Sequence, residues 1–169
     1  MDVFPVPDLS MVPQYVSATR MHVADVIANY PPNATRRGML ATVDDLFGAL
    51  DGTLRCGYDG QRYFWQPSGL PEYFSPMTVA SDLTLTALSH PTIIPLSGTV
   101  AVGVTRKITL STDNVWPGAR KRINVGGVTS LLGTLQLLSG ATSLLNIVLG
   151  NTYDMAVDYS GGTPQWVRI

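Results

Sequence analysis

From Leu83 onward, apolar side chains fall on every second position in short runs. Leu83 and Leu85 alternate with Asp82, Thr84 and Thr86, and Val100, Val102 and Val104 alternate with small residues. Ile108 and Leu110 follow, then Ile123 and Val125, Leu135 and Leu137, and Leu145, Ile147 and Leu149. Tyr153, Met155, Val157 and Tyr159 complete the series before Gln165 to Ile169. A period of two puts alternate side chains on opposite faces of a strand. Gly, Pro, Asn and Ser separate the runs at intervals of about 8–12 residues, the spacing of an antiparallel sandwich or barrel. The leucine-dense stretch from Val128 to Leu145 competes as a helix. Gly133 and Gly140 fall inside it, each costing about 1 kcal/mol relative to Ala in a helix interior, so it reads as strands.

Composition supports the same class. Charged residues make up 14% of the 169-residue chain, against about 25% in ordinary soluble domains. There is one Glu (Glu72) and there are two Lys (Lys107, Lys121), while Thr occurs 17 times. A long-helix or coiled-coil protein is thereby excluded. The 45% hydrophobic content is enough for a core and excludes disorder. The expected fold is mainly β: an antiparallel β-sandwich or jelly-roll-like domain preceded by an extended N-terminal arm and a small β-meander.

Residues 1–19 form the expected arm. Pro5, Pro7 and Pro13 fix φ and lack N–H donors, favouring extended chain. Val3, Phe4, Val6 and Leu9 give it apolar side chains to lay on a neighbour. Residues 20–76 form the meander region. Arg20–Asn29 reads as a short helix with Met21, Ala24, Ile27 and Ala28 on one face, or almost as well as a strand. Asp51-Gly52 and Asp59-Gly60 are tight-turn dipeptides, with one strand from Thr53 to Tyr58 between them and another from Gln61 to Gln66 after them. The turn-rich stretch from Pro67 to Pro76 is the boundary, and residues 77–169 are the sandwich.

Sites of chemistry are sparse. His22 and His90 are the only histidines and stand in no HxH or HExxH pattern, so no metal site is expected. No GxSxG, P-loop or dinucleotide fingerprint occurs, and neither a catalytic set nor a cofactor is expected. Asp154 and Asp158 would stand about 13 Å apart on one strand face, beyond glycosidase spacing. Asp44-Asp45 reads as solvated or turn-forming carboxylates. Cys56 is alone and reads as a small buried residue. The net charge of −1 argues against a general nucleic-acid binder, with Arg120-Lys121-Arg122 the one dense basic cluster. No signal-like start or apolar run near 20 residues long is present, so no membrane contact is expected. Tyr63, Trp65 and Trp116 are candidate contacts to a glycan or another subunit.

The carboxyl half resembles the β-sandwich modules of tailed-bacteriophage virion accessory proteins, which include head-decoration (cement) proteins and domains of head and tail fibres. The resemblance rests on RKITLST from Arg106, NVWPG from Asn114, a basic strand ending Ile123-Asn-Val, a Leu-rich hairpin, GNTYDMAVDY from Gly150 and SGGTPQWV from Ser160. It covers roughly residues 98–169. The terminal turn departs from the usual Asp-Gly, since Ser160-Gly161-Gly162 stands in its place. A similar phrase, GYDGQRYFW from Gly57, also sets a Tyr before a turn and a Trp after it. The resemblance implies a non-enzymatic viral structural protein, assembled in the host bacterial cytoplasm and residing in the virion. It implies a homotrimer whose arm contacts the major capsid protein or other virion subunits. A capsid decoration subunit is the first expectation, and a tail or head-fibre component binding host-surface glycans is the alternative.

Overall fold

The computed structural model describes residues 14–69, 72–130 and 132–169. The arm residues Val3, Phe4, Val6 and Leu9 lie outside them. The described chain opens with a stretch that pairs in parallel with the first strand. Tyr15 bridges to Leu40 and Met21 to Val43, and the Val16 amide donates to the Leu40 carbonyl at 2.9 Å. Between these contacts and the sheet stand helix α1 (Val23–Asn29) and a 3-10 turn, Ala34–Arg36. Arg20–Asn29 is thus helical from Val23, but its inward face is Val23 and Val26. Ala24 and Ala28 are exposed, because Met21 precedes the helix and pairs with the sheet, which sets the rotation of the turns after it.

Strands β1 (Leu40–Leu46), β2 (Leu50–Tyr58) and β3 (Tyr63–Pro67) form an antiparallel three-stranded sheet. The expected meander is present with one shifted turn. Asp51-Gly52 lies inside β2, and the reversal falls on Phe47 and Gly48, with φ of 57° and 90°. Both residues are left-handed, a conformation costly for Phe. Phe47 is held in it by burial and by its amide, which donates to Leu88 O at 2.6 Å. Asp59-Gly60 does make its turn: the Asp59 carboxylate accepts from the amides of Gln61 and Arg62.

The remaining strands lie in two sheets, and here the antiparallel expectation is corrected. A five-stranded sheet has the order β12-β11-β8-β6-β4 and a four-stranded sheet the order β10-β9-β7-β5. Their members are β4 (Met77–Thr78), β5 (Leu83–Leu85), β6 (Ile93–Val100), β7 (Thr105–Leu110), β8 (Arg120–Ser130) and β9 (Thr134–Ser139), then β10 (Thr142–Asn146), β11 (Thr152–Asp158) and β12 (Gln165–Arg168). From β4 to β9 the chain alternates between the sheets, and each strand runs parallel to the one before it in its own sheet. Ile93 lies opposite Arg122 and Thr105 opposite Thr134, 29 residues on in both sheets, whereas the preceding circuit is shorter, with Met77 opposite Leu96 and Leu83 opposite Ile108. Afterwards β10 folds back on β9, β11 on β8 and β12 on β11, all antiparallel. Both sheets are therefore mixed. Side-chain alternation is the same in parallel and antiparallel strands, so periodicity alone does not separate them.

Most of the alternating positions form the core, although Leu83, Leu145, Leu149 and Tyr159 are half-buried and Ile147 and Leu149 lie beyond the end of β10. Ile108 and Leu110, Ile123 and Val125, Leu135 and Leu137, and Tyr153, Met155 and Val157 are buried on their strands. Val102 and Val104 are not strand residues, because a turn at 101–104 ends the run and leaves Val102 65% exposed. Trp166 on β12 joins the two larger sheets. Its amide donates to Ser139 Oγ at 2.8 Å, and its indole N–H to Ser111 O at 2.9 Å. The three-stranded sheet meets the C-terminal hairpin through Arg62, whose guanidinium donates to Gly162 O and lies 3.9 Å from the Tyr159 ring centroid. The two Tyr–turn–Trp phrases are thus hairpin ends in contact with each other.

Successive turns of the winding stack closely at Gly133. A Cβ there would lie 2.5 Å from Ala101 O and from Val100 Cγ1. Gly133→Ala should therefore lower stability by about 1–3 kcal/mol, read as a fall in the urea midpoint at constant m-value. An unchanged midpoint would show that the two turns do not pack as described.

Candidate functional site

The basic cluster acquires a specific setting. On β8, Arg120 and Arg122 point outward and Lys121 inward, as alternation requires. Arg122 stands opposite Asp154 of β11, and its Nε donates to Asp154 Oδ1 at 2.6 Å. Lys121 is 1% exposed. Its ammonium donates to the carbonyls of His90 and Pro91 at 2.9 and 2.8 Å. Both acceptors are neutral, so they solvate the charge without cancelling it. Burial accordingly pulls the Lys121 amine down to about 7.

His90 belongs to the same locus. Its Nδ1 accepts from the Thr86 amide at 3.1 Å, which places the proton of the neutral ring on Nε2. Burial, reinforced by the nearby Lys121 charge, pushes the imidazole below its ordinary value. The ring is therefore a neutral, structural partner of the 85–91 loop.

A cavity of about 600 Å³ adjoins this cluster. Phe47, Trp116, Met155 and Ile169 give it apolar walls, while Glu72, Asp154 and residues 120–122 give it charge. Asp154 is engaged by Arg122. Arg120 has no carboxylate partner among the described residues. Such a site can hold an anionic group beside an apolar body. The basic triplet was visible in sequence. Its neighbours Phe47, Glu72 and Asp154 come from separate segments, which only the fold brings together.

The aromatic candidates are placed differently from expectation. Trp65 is 2% and Trp116 5% exposed, so neither offers the open ring face that stacking on a sugar requires. Trp65 is drawn inward because its indole N–H donates to Tyr30 O at 2.9 Å. Phe64 beside it is buried too, so adjacent rather than alternate members of that cluster pack inward. Trp116 packs in the β7–β8 loop as part of the cavity wall. Tyr63 is half-buried and stacks on Tyr58 with ring centroids 4.5 Å apart. A cleft of about 170 Å³ runs past Tyr63, Trp65 and Tyr159.

Two carboxylate sets also resolve. Asp158 caps its own turn, accepting from the Ser160 amide and hydroxyl, bonds that hold its carboxyl below the usual range. His22, Asp44 and Asp45 meet with their donor atoms all within 4.8 Å. His22 Nδ1 lies 2.8 Å from Asp44 Oδ1, and Asp45 Oδ1 accepts the Val23 amide at 2.6 Å. Among the described residues this trio is the set from which a metal-ligand reading would start, but it is largely exposed and part of Asp45 is committed to the start of α1. The Asp pair was legible in sequence. Its closeness to His22 depends on the parallel pairing of Met21 with Val43.

No family model, curated protein or solved structure matches the chain. What the site can do therefore follows from its own side chains.

Lys121 sets a pH dependence. Below pH 7 the amine carries its proton in both folded and unfolded chains, and the full cost of burying it is present. Between about 7 and 10.5 the unfolded chain holds a proton that the folded chain has released, so stability rises with pH. Relative to Lys121→Met, the wild-type chain should gain about 2 kcal/mol from pH 7 to pH 9. Urea unfolding of both proteins across that range measures it. Parallel stability curves would mean that the amine stays charged in the fold.

Proposed function

We propose that the chain is a non-enzymatic bacteriophage virion structural protein, a decoration or cement subunit of the capsid. The observation that carries this reading is the character of the surface. Beside charged outward residues such as Arg120, Arg122 and Lys107, the sheets carry small uncharged ones, as with Thr99 and Thr129, whose hydroxyls pair at 2.9 Å on an exposed face. Between them stand bare apolar side chains: Phe74 is 63% exposed, Val148 62%, Val102 65% and Leu132 88%. Leu132 holds φ at +65°, so a turn that glycine would occupy more easily displays a large apolar group. Such surfaces suit burial against partners.

In this reading the two larger sheets are the layers of a β-sandwich clamped by Trp166, and the three-stranded sheet is its smaller companion. Copies associate around a symmetry axis, as a homotrimer, and the N-terminal arm extends the contact to sister subunits or the major capsid protein. Many equivalent interfaces together raise the free energy of opening the shell. The resemblance of residues 98–169 to virion accessory modules supports the choice of particle. The fibre alternative keeps a narrower basis in Tyr58, 37% exposed and stacked on Tyr63.

Imaging of intact particles separates these readings. Lattice-wide density for the chain on the head is the expected result, and a few copies at the tail would favour the fibre. Deletion of residues 2–12 should abolish particle binding while leaving the near-ultraviolet circular dichroism of the folded chain unchanged. Wild-type occupancy by the shortened chain would overturn the role given to the arm.

A further inference from the structure

We propose that the cavity beside Arg120 is the receptor for the N-terminal segment of a second copy of this chain. The proposal rests on the reading of the arm as a contact-making element and names where it docks.

Charge and shape both favour this occupant. The cavity combines apolar walls, Phe47 and Trp116 among them, with Glu72, the Arg122–Asp154 pair and the Arg120 guanidinium, which has no carboxylate partner among the described residues. A ligand matched to it carries acidic groups next to large apolar ones. Residues 1–13 have that chemistry: Phe4 and Val6 lie between Asp2 and Asp8, Leu9 follows directly, and the stretch contains no Lys or Arg. Burial of these apolar side chains supplies the affinity, and a carboxylate facing Arg120 fixes register more than it adds affinity.

The path of the chain favours a neighbour over the same molecule, because an arm reaching its own cavity would have to reverse and run back along β1. The stretch entering the described fold pairs in parallel with β1 and begins at its Leu40 end, where Leu40 N donates to Gln14 O. Phe47 lies beyond the opposite end of β1. The segment before Gln14 therefore joins the fold a full strand length away from the cavity wall. An arm-into-cavity contact between copies is heterologous, with different surfaces on the two partners, and closes into a ring when the rotation allows.

The test is sedimentation velocity of the full-length chain over a range of concentrations. The wild-type chain should self-associate, and Phe4→Ala and Arg120→Glu should each weaken association by about tenfold or more. Arg120 is exposed, so its replacement leaves the core intact, and Arg120→Gln provides a milder second variant. Mixing Phe4→Ala chains with Arg120→Glu chains should restore one productive contact, from the intact arm of one to the intact cavity of the other. A wild-type chain that stays monomeric overturns the proposal, as does a mixture that associates no better than either variant alone. Dissociation by Phe4→Ala with no effect of either Arg120 variant removes the cavity as receptor but leaves the arm as a contact element. Indifference to all of these changes removes both.

Discussion

Two parallel strands in one sheet cannot be joined by a tight turn, because the chain must first travel back along their length. In this protein the return journey is made by a strand of the other sheet. Every parallel pair from β4 to β9 thus requires a strand across the way, and neither large sheet exists without its companion. The 29-residue offset shared by the start of β6/β8 and by β7/β9 is the length of the second circuit, and the first is shorter. The antiparallel strands β10, β11 and β12 then add hairpin pairing at the ends of both sheets.

Local features of this fold were readable because local physics determines them. Alternation marks the buried faces of β7, β8, β9 and β11, and the Asp59 side chain builds its turn from amides two and three residues on. Strand direction was not readable, since it is a property of pairs of segments rather than of any one segment. The turn assigned to Asp51-Gly52 shows the same limit. That dipeptide has the right chemistry, but the Phe47 amide finds Leu88, on a different part of the chain, and the reversal forms there. Tertiary contact outweighed local preference by three or four residues.

The site divides in the same way. Arg120, Lys121 and Arg122 are conspicuous in a chain with so few charges, but their three roles follow from strand alternation and cross-strand partners. Among the described residues, one has no carboxylate partner, one is buried and one is paired. The burial of Trp65 and Trp116 follows from acceptors and walls contributed by distant segments, which no composition could indicate. A buried amine held only by neutral carbonyls is tolerated here at a cost to stability. It ties the 85–91 loop to the middle of the five-stranded sheet.

The closure made by Trp166 has a bearing on biogenesis. Its indole bonds a carbonyl 55 residues earlier in the chain, so the ribosome delivers the clasp long after the strands it fastens. Until then the wound strands present open hydrogen-bonding edges, and nonlocal pairing of this kind is slow. Nascent chains in that interval are exposed to edge-to-edge mispairing with one another. The scarcity of edge lysines, which commonly guard against such pairing, makes the interval before Trp166 emerges a vulnerable one.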